Sequence, residues 1–226
     1  MSAEPAREVA GEARSERCAM LRRQLSSLAV PARTVALLTG RAPGPGLLDA
    51  ACAGAQVLLG QLVEAIAHGE AEPTGYEEAV AALSGLGPGL TPTGDDLLVA
   101  VLVASRHLAD LGLLPDQGRH ALVRAVAASP SGRTTPVAER FLREACAGKA
   151  PAPLAAFVQA LGTTQVGEGE LAERCARLVD TGAHSGADWL AGVLALSRRC
   201  CRPLETPPRP ASPADRGRHP HGASRD

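Results

Sequence analysis

The spacing of apolar residues is the feature of this sequence that most constrains its fold. From Leu58 to Ile66, apolar side chains recur three and four positions apart, the spacing that places them on one face of an α-helix. Similar spacing runs through most of the chain, and Gly, Pro, Ser or Thr bounds each segment. The sequence therefore predicts helices over about 16–29, 46–69, 75–84, 95–113, 116–128, 136–148, 151–161, 168–180 and 187–201.

The scarcity of aromatic residues points to the same fold class. Trp189, Tyr76, Phe141 and Phe157 are the only aromatic residues, so aliphatic side chains must fill the core, which favours helices over a β-sandwich. The segment from Arg33 to Thr39 is the only plausible short strand. We therefore expect a mainly α, compact multi-helix domain with little or no β-structure at its N-terminus.

The two ends of the chain differ in composition from its middle. Residues 1–30 are rich in Glu and Arg and are predicted to form a charged, partly helical leader, followed by a helical domain over 31–202. Residues 203–226 are rich in proline and arginine and cannot bury enough apolar area to offset the entropy of ordering. The sequence therefore predicts a disordered tail over 203–226.

Charge and cysteine usage exclude several classes of partner. The formal net charge is -1, and no basic block is interleaved with aromatics, so nucleic acid is not an expected partner. No signal peptide and no apolar run near 20 residues is visible, which predicts a cytoplasmic protein without a membrane span. The six cysteines lack C-x-x-C or zinc-ligand spacing and are interpreted as reduced structural thiols. No cofactor is predicted; the acidic residues are compatible with a divalent metal, but no motif indicates one.

A glycine-rich segment is the first candidate for a binding site. Residues 84–96 read SGLGPGLTPTGDD, in which three glycines precede two threonines. Such a loop lets the backbone approach a ligand closely and direct N–H groups at it, as in cradles for phosphate or carboxylate. The loop lacks the Gly-Lys-[Ser/Thr] of a Walker A motif and the G-x-G-x-x-G that follows a strand, which disfavours a nucleotide.

Two predicted helices begin in the same way. Residues 93–102 align without gaps with residues 185–194 and share a hydroxyl, a glycine, an aspartate and apolar positions. A repeated N-cap explains this similarity, because the hydroxyl would accept a backbone N–H and the acidic group three residues later would face the positive helix end. On this interpretation Asp96 and Asp188 cap their helices, and Asp95 is the better functional candidate.

A third helix start is also rich in hydroxyls. Thr135 can cap this helix, Pro136 suits its first position, and Arg133 adds a fork of N–H donors. If the three starts converged, they would form a pocket for a small polyanion, with His184 as a further polar neighbour. The candidate catalytic residues are Asp95 and Asp96, and the candidate substrate-binding residues are Gly87, Gly89, Thr91, Thr93, Gly94, Arg133, Thr134, Thr135, His184, Ser185, Gly186 and Asp188.

The sequence GLGPGLTPTGDD at 85–96 resembles the signature of the AllH family of oxamate carbamoyltransferase subunits. The helix starts at Thr134 and His184 are similar to two later motifs of that family, so the resemblance covers about 43–200. It implies a subunit of an enzyme that converts oxalurate and phosphate into oxamate and carbamoyl phosphate in allantoin breakdown, a branch of purine catabolism. It also implies two other subunit types as partners and a small carboxylate or phosphate as substrate.

This chain departs from the family pattern at its start. Family members carry a longer N-terminal part with β-structure, whereas this chain reaches the glycine-rich motif after a short charged leader, so we expect a shortened N-terminal part. Two alternatives to the carbamoyltransferase hypothesis remain: a non-catalytic helical assembly subunit, and an enzyme that acts on another small acid or phosphate ester.

We predict that the tail after about Pro203 contributes little to stability, because its composition gives it little reason to pack. A chain that ends at Arg202 should unfold with a free energy within about 0.5 kcal/mol of that of the full chain. Thermal unfolding of the two chains checks this prediction. A large loss of stability in the shorter chain would mean that the tail docks on the domain.

Overall fold

The computed structural model describes residues 4–40, 47–68, 73–129 and 131–201. Within these ranges the chain forms ten helices and no strand. In chain order the helices are α1 (Glu4–Ser26), α2 (Ala32–Thr39), α3 (Leu47–His68), α4 (Pro73–Leu83), α5 (Thr93–Asp110), α6 (Asp116–Ala128), α7 (Pro136–Cys146), α8 (Ala152–Ala160), α9 (Glu168–Val179) and α10 (Ser185–Cys200). The predicted mainly α fold is confirmed, and each of the nine predicted helices has a counterpart.

The predicted strand from Arg33 to Thr39 was wrong, since this segment is the helix α2. Its β-branched residues suggested a strand, but Thr34 and Leu37, three positions apart, are both fully buried on one helical face. The Thr34 hydroxyl also donates a hydrogen bond to the Ala187 carbonyl at 2.8 Å. Burial against α10 therefore outweighs the local preference of these residues for extended structure.

The helix α1 packs on the same hydrophobic core as the rest of the chain. Leu21 and Leu25 are buried, and the buried Gln24 amide joins α1 to the loop after α8 by accepting the Gly162 N–H at 2.8 Å. The Arg17 guanidinium donates to the Leu111 carbonyl at the end of α5. The predicted domain boundaries at 30 and 202 stay predictions, and the predicted tail lies outside the described residues.

The centre of the fold is the contact between α5 and α10. Most residues of these two helices are buried, as expected for helices that are surrounded by other helices. They are in close contact at Gly192, where an added Cβ would lie 2.7 Å from the Cβ of Ala100 and 3.0 Å from the Leu97 carbonyl oxygen. The absence of a side chain at Gly192 therefore allows the two helices to touch.

Two glycines at equivalent positions, near the starts of α5 and α10, allow each helix to pack closely against the preceding helix. A Cβ added at Gly94 would overlap the carbonyl oxygen of Leu83 at the end of α4, and a Cβ added at Gly186 would overlap that of Leu178 in α9. Both glycines are buried and helical, so close packing rather than a positive φ requires them. The duplicated sequence motif thus corresponds to a duplicated helix-turn-helix geometry.

The described cysteines are all free thiols. They are Cys18, Cys146, Cys175, Cys200 and Cys201, whereas the side chain of Cys52 lies outside the described residues. Among the helices described, none has the length and hydropathy that a membrane crossing requires.

We predict that Gly192→Ala destabilises the fold, because its methyl group would overlap Ala100 and separate α5 from α10. Overpacking of this kind costs about 1–3 kcal/mol, which the roughly 1 kcal/mol gain in helix propensity only partly offsets. The control is Gly60→Ala in α3, where an added Cβ meets no atom within 4 Å. Urea unfolding should give a lower free energy for Gly192→Ala and a slightly higher one for Gly60→Ala.

Candidate functional site

The starts of α5, α7 and α10 lie together and are joined by hydroxyl hydrogen bonds. The Thr134 hydroxyl, before α7, donates to Oδ2 of Asp95 in α5 at 2.6 Å. The hydroxyls of Thr91 and Ser185 lie 2.9 Å apart, which joins the loop before α5 to the start of α10. The structure thus brings together the three hydroxyl-rich segments that the sequence singled out, with their positive helix ends close to each other.

The glycine-rich loop before α5 turns through three left-handed glycines. Gly85, Gly87 and Gly89 have φ values of 76°, 113° and 100°. A Cβ at Gly85 would lie 2.5 Å from the Arg133 carbonyl oxygen, and one at Gly87 would lie 2.9 Å from the Thr93 nitrogen, whereas one at Gly89 would meet nothing within 4 Å. Gly89 is therefore the exposed, open position of the loop, and its N–H donates to no other described residue.

Asp95 fastens this loop to α7. Its Oδ2 accepts the Gly85 N–H at 3.0 Å as well as the Thr134 hydroxyl, while its buried Oδ1 has no partner among the described residues. Burial raises the pKa of Asp95, and the hydrogen bonds from Thr134 and Gly85 counteract this increase. These contacts give Asp95 a structural task, and a functional role for it stays a prediction.

Asp96 and Asp188 do not form the predicted capping boxes. Each helix begins one residue earlier than that pattern requires, so the N-caps are Pro92 and His184, and neither makes a side-chain capping bond. The predicted cap by Thr135 is present, because its hydroxyl oxygen accepts the Ala138 N–H at 3.1 Å. The aspartates on α5 and α10 instead lie beside hydroxyls of the opposite helix start, with Asp96 near Ser185 and Asp188 near Thr93.

Asp188 is paired with Arg33, a residue that the sequence analysis missed. Arg33 Nε lies 2.6 Å from Oδ1 of Asp188, and its Nη2 lies 2.9 Å from Oδ2 and 2.8 Å from the Thr93 hydroxyl oxygen. Burial raises the pKa of Asp188, and the hydrogen bonds and charge of Arg33 oppose this effect. A lone arginine in a segment expected to be a strand gave no signal for this pairing.

Arg133, the predicted guanidinium of the site, does not point to these carboxylates. It is exposed and donates to the Ala81 carbonyl at 2.7 Å. With Thr134 it lines a neighbouring cavity of about 310 Å³, whose other charged lining residues are Glu139 and Arg143.

Asp96 differs from the other two carboxylates because its neighbouring donors, Ser185, Thr91 and Trp189, make only weak contacts with it. Its side chain is 1% exposed, and its Oδ2 has no hydrogen-bond partner among the described residues. Burial and the charge of Asp188 raise the pKa of Asp96 to about 7, although the hydroxyls of Ser185 and Thr91 and the indole of Trp189 lower it. At neutral pH Asp96 is therefore divided between its neutral and ionised forms.

The remaining predicted residues are His184 and two helix-start glycines. His184 is exposed, and Gly94 and Gly186 serve the tight turns described above. Within the described ranges, no group of three or more His, Cys, Asp or Glu residues has the geometry to hold a metal ion.

A comparison with protein families matches residues 83–197 to the family described as oxamate carbamoyltransferase subunit AllH. The match includes the glycine-rich loop and the starts of α5, α7 and α10, but it leaves out α2 and therefore Arg33. Neither the curated proteins nor the solved structures include a significant match to this chain.

We predict that stability falls as pH rises from about 4 to 7. The folded state holds a proton on Asp96 up to a pKa of about 7, whereas the unfolded state releases it near 3.8, so ionisation at higher pH favours unfolding. Asp96→Asn should remove the part of this loss that comes from Asp96, about 2.6 kcal/mol between pH 5 and pH 8.

Urea unfolding at both pH values measures the difference. The matched control is Asp110→Asn, at the exposed far end of the same helix, which should keep the pH dependence of the parent. The same pH dependence in Asp96→Asn and the parent would contradict the proposed state of Asp96.

Proposed function

The chain belongs to the AllH family, and from this premise we propose that it is a subunit of an oxamate carbamoyltransferase that binds substrate where α5, α7 and α10 begin. The observation that carries this proposal is the convergence of three helix N-termini and their hydroxyls around buried carboxyl groups. Two of these carboxyl groups, those of Asp95 and Asp96, each have an oxygen without a partner among the described residues.

The proposed reaction transfers a carbamoyl group from oxalurate to phosphate. An oxygen of phosphate attacks the carbamoyl carbon, the bond from that carbon to the oxamate nitrogen breaks, and the nitrogen takes a proton as oxamate leaves. Both substrates and both products carry a carboxylate or a phosphate. Helix N-termini and hydroxyl groups stabilise such anions, so catalysis would rest mainly on positioning and electrostatics.

The buried aspartates present less negative charge to an anion than their number suggests. Arg33 neutralises Asp188, and two hydrogen bonds stabilise the carboxylate of Asp95. With a pKa of about 7, Asp96 is partly neutral at physiological pH. The negative charge that an incoming substrate meets is therefore smaller than three aspartates suggest.

A non-catalytic assembly subunit is the second candidate function. The side chain of Leu90, at the tip of the glycine-rich loop, is 72% exposed, and Val137 at the start of α7 is also exposed. The Thr135 hydroxyl is hydrogen-bonded to the Leu90 carbonyl, so the loop tip is fixed next to the start of α7. Leu90 and Val137 would together give another subunit a small apolar contact.

The test is reconstitution of the full chain with the two other subunit types that the family implies. We expect carbamoyl phosphate to form from oxalurate and phosphate only when all three are present. An assembled complex with full activity in the absence of this chain would contradict the proposal. A complex that needs the chain to assemble but tolerates Asp96→Asn, Ser185→Ala and Gly89→Ala without loss of activity would favour the assembly function.

We predict that Gly89→Ala weakens anion binding without unfolding the domain. An added Cβ meets no neighbouring atom, so the cost arises from a φ of 100°, which the alanine can escape only by reshaping the loop. The loss of one charge-assisted hydrogen bond should weaken binding about tenfold to a hundredfold.

Calorimetric titration with phosphate, oxamate and oxalurate measures this effect. The matched control is Gly112→Ala, which also has a positive φ, 69°, and only an ordinary contact for its Cβ, but lies after α5 at the other end of that helix. Gly112→Ala should lose a similar amount of stability and keep the affinity of the parent. Equal affinities in all three chains would mean that the loop is only a turn.

A further inference from the structure

The duplicated helix starts place two buried carboxylates in equivalent positions. Residues 93–102 of α5 correspond one by one to residues 185–194 of α10, and Ala100 lies against its own equivalent, Gly192. Asp188 of α10 lies near Thr93 of α5, and Asp96 of α5 lies near Ser185 of α10. The aspartate of each helix thus lies near the hydroxyl at the start of the other helix. An approximate two-fold axis between α5 and α10 would relate these two contacts.

In one half of this arrangement, at the start of α10, the planar guanidinium of Arg33 donates N–H groups to the Asp188 carboxylate. Arg33 donates Nε–H to Oδ1 of Asp188 at 2.6 Å and Nη2–H to Oδ2 at 2.9 Å. The same Nη2 donates to the hydroxyl oxygen of Thr93 at 2.8 Å. A flat fork of donors thus satisfies a carboxylate and the hydroxyl of the opposite helix together.

The other half lacks such a group. No described cation forms an ion pair with Asp96, although its side chain is as deeply buried as that of Asp188. Its Oδ2 has no partner among the described residues, and neither has the Nε1 of Trp189, which is 3% exposed. The Trp189 indole lies close enough to Asp96 to lower its pKa, so the inference rests on the Oδ2 of Asp96. Because a buried carboxylate oxygen without a partner is costly, this atom indicates a missing polar ligand.

We propose that Asp96 binds the planar ureido or carbamoyl group of the substrate, which presents its N–H donors to this carboxylate as Arg33 presents its guanidinium to Asp188. This inference rests on the proposed function and names the part of the substrate that this half of the site recognises. A ureido group has the flat shape and the adjacent N–H donors of a guanidinium, and it carries no charge.

The surroundings of Asp96 fit this orientation of the ligand. Ser185 corresponds to Thr93, so its hydroxyl would take part in the contact as that of Thr93 does with Arg33. Thr91 and Ser185 are both half-buried, and a ligand reaches Asp96 by separating their hydroxyls. The carboxylate of the same ligand would then face the N–H groups of the glycine-rich loop.

A matched pair of ligands tests the proposal on the full chain. N-Carbamoylglycine and N-acetylglycine differ only in an NH₂ that is replaced by a methyl group. Trp189 is the single tryptophan of the chain and lies next to Asp96, so its fluorescence reports binding at this site. We expect the parent to bind N-carbamoylglycine at least about tenfold more tightly, as the loss of a hydrogen bond to a charged group would produce.

Variants test whether the Asp96 carboxylate causes the preference for N-carbamoylglycine over N-acetylglycine. Asp96→Asn should abolish it, whereas Asp110→Asn, which changes an aspartate at the exposed far end of the same helix, should keep it. Ser185→Ala, the second variant if Asp96→Asn does not fold, should reduce it. Equal binding of the two ligands by the parent, or an undiminished preference in whichever of the Asp96 and Ser185 variants folds, would overturn the inference.

The proposed function fails in a different way. A chain that shows this preference but supports no transfer from oxalurate to phosphate in the reconstituted enzyme would contradict the carbamoyltransferase assignment alone. Full transfer activity without the preference would contradict only the role of Asp96.

Discussion

The close contact between α5 and α10 is the constraint on which the site depends. Because Gly192 has no side chain, α10 can lie against Ala100, and the first turns of both helices come within reach of each other. The hydroxyl of one helix start then lies beside the aspartate of the other. The chemistry of the site is thus a consequence of helix packing rather than of any single loop.

Three aspartates are buried within this small region, and the fold compensates each of them differently. Asp188 forms an ion pair with an arginine, and Asp95 accepts hydrogen bonds from a backbone N–H and a hydroxyl. Asp96 makes only weaker contacts with neighbouring donors. Burial disfavours the ionised form of all three, so the quality of the partners decides which one titrates near neutral pH. That residue is Asp96, which the sequence alone would assign to a helix cap.

Much of the fold could be predicted from the sequence, because the spacing of aliphatic residues directly encodes which helix faces are buried. The glycine-rich loop could also be found, since its left-handed glycines leave a visible pattern. The predicted capping boxes were wrong because α5 and α10 each begin one residue earlier than a capping box requires. The hydroxyl and aspartate side chains then contact the opposite helix and do not cap their own. Arg33 could not be assigned, since nothing local connects it with Asp188, 155 positions away.

Arg33 lies in α2, outside the segment that matches the family. The residues shared with the family span 83–197, whereas the counter-charge of Asp188 comes from residues 32–39. A fragment limited to the shared residues would leave Asp188 without its arginine and without the helix that packs on α10 beside it. The structural unit that compensates Asp188 is therefore larger than the segment matched to the family, and a transplant of these helix starts into another helical scaffold would have to include α2.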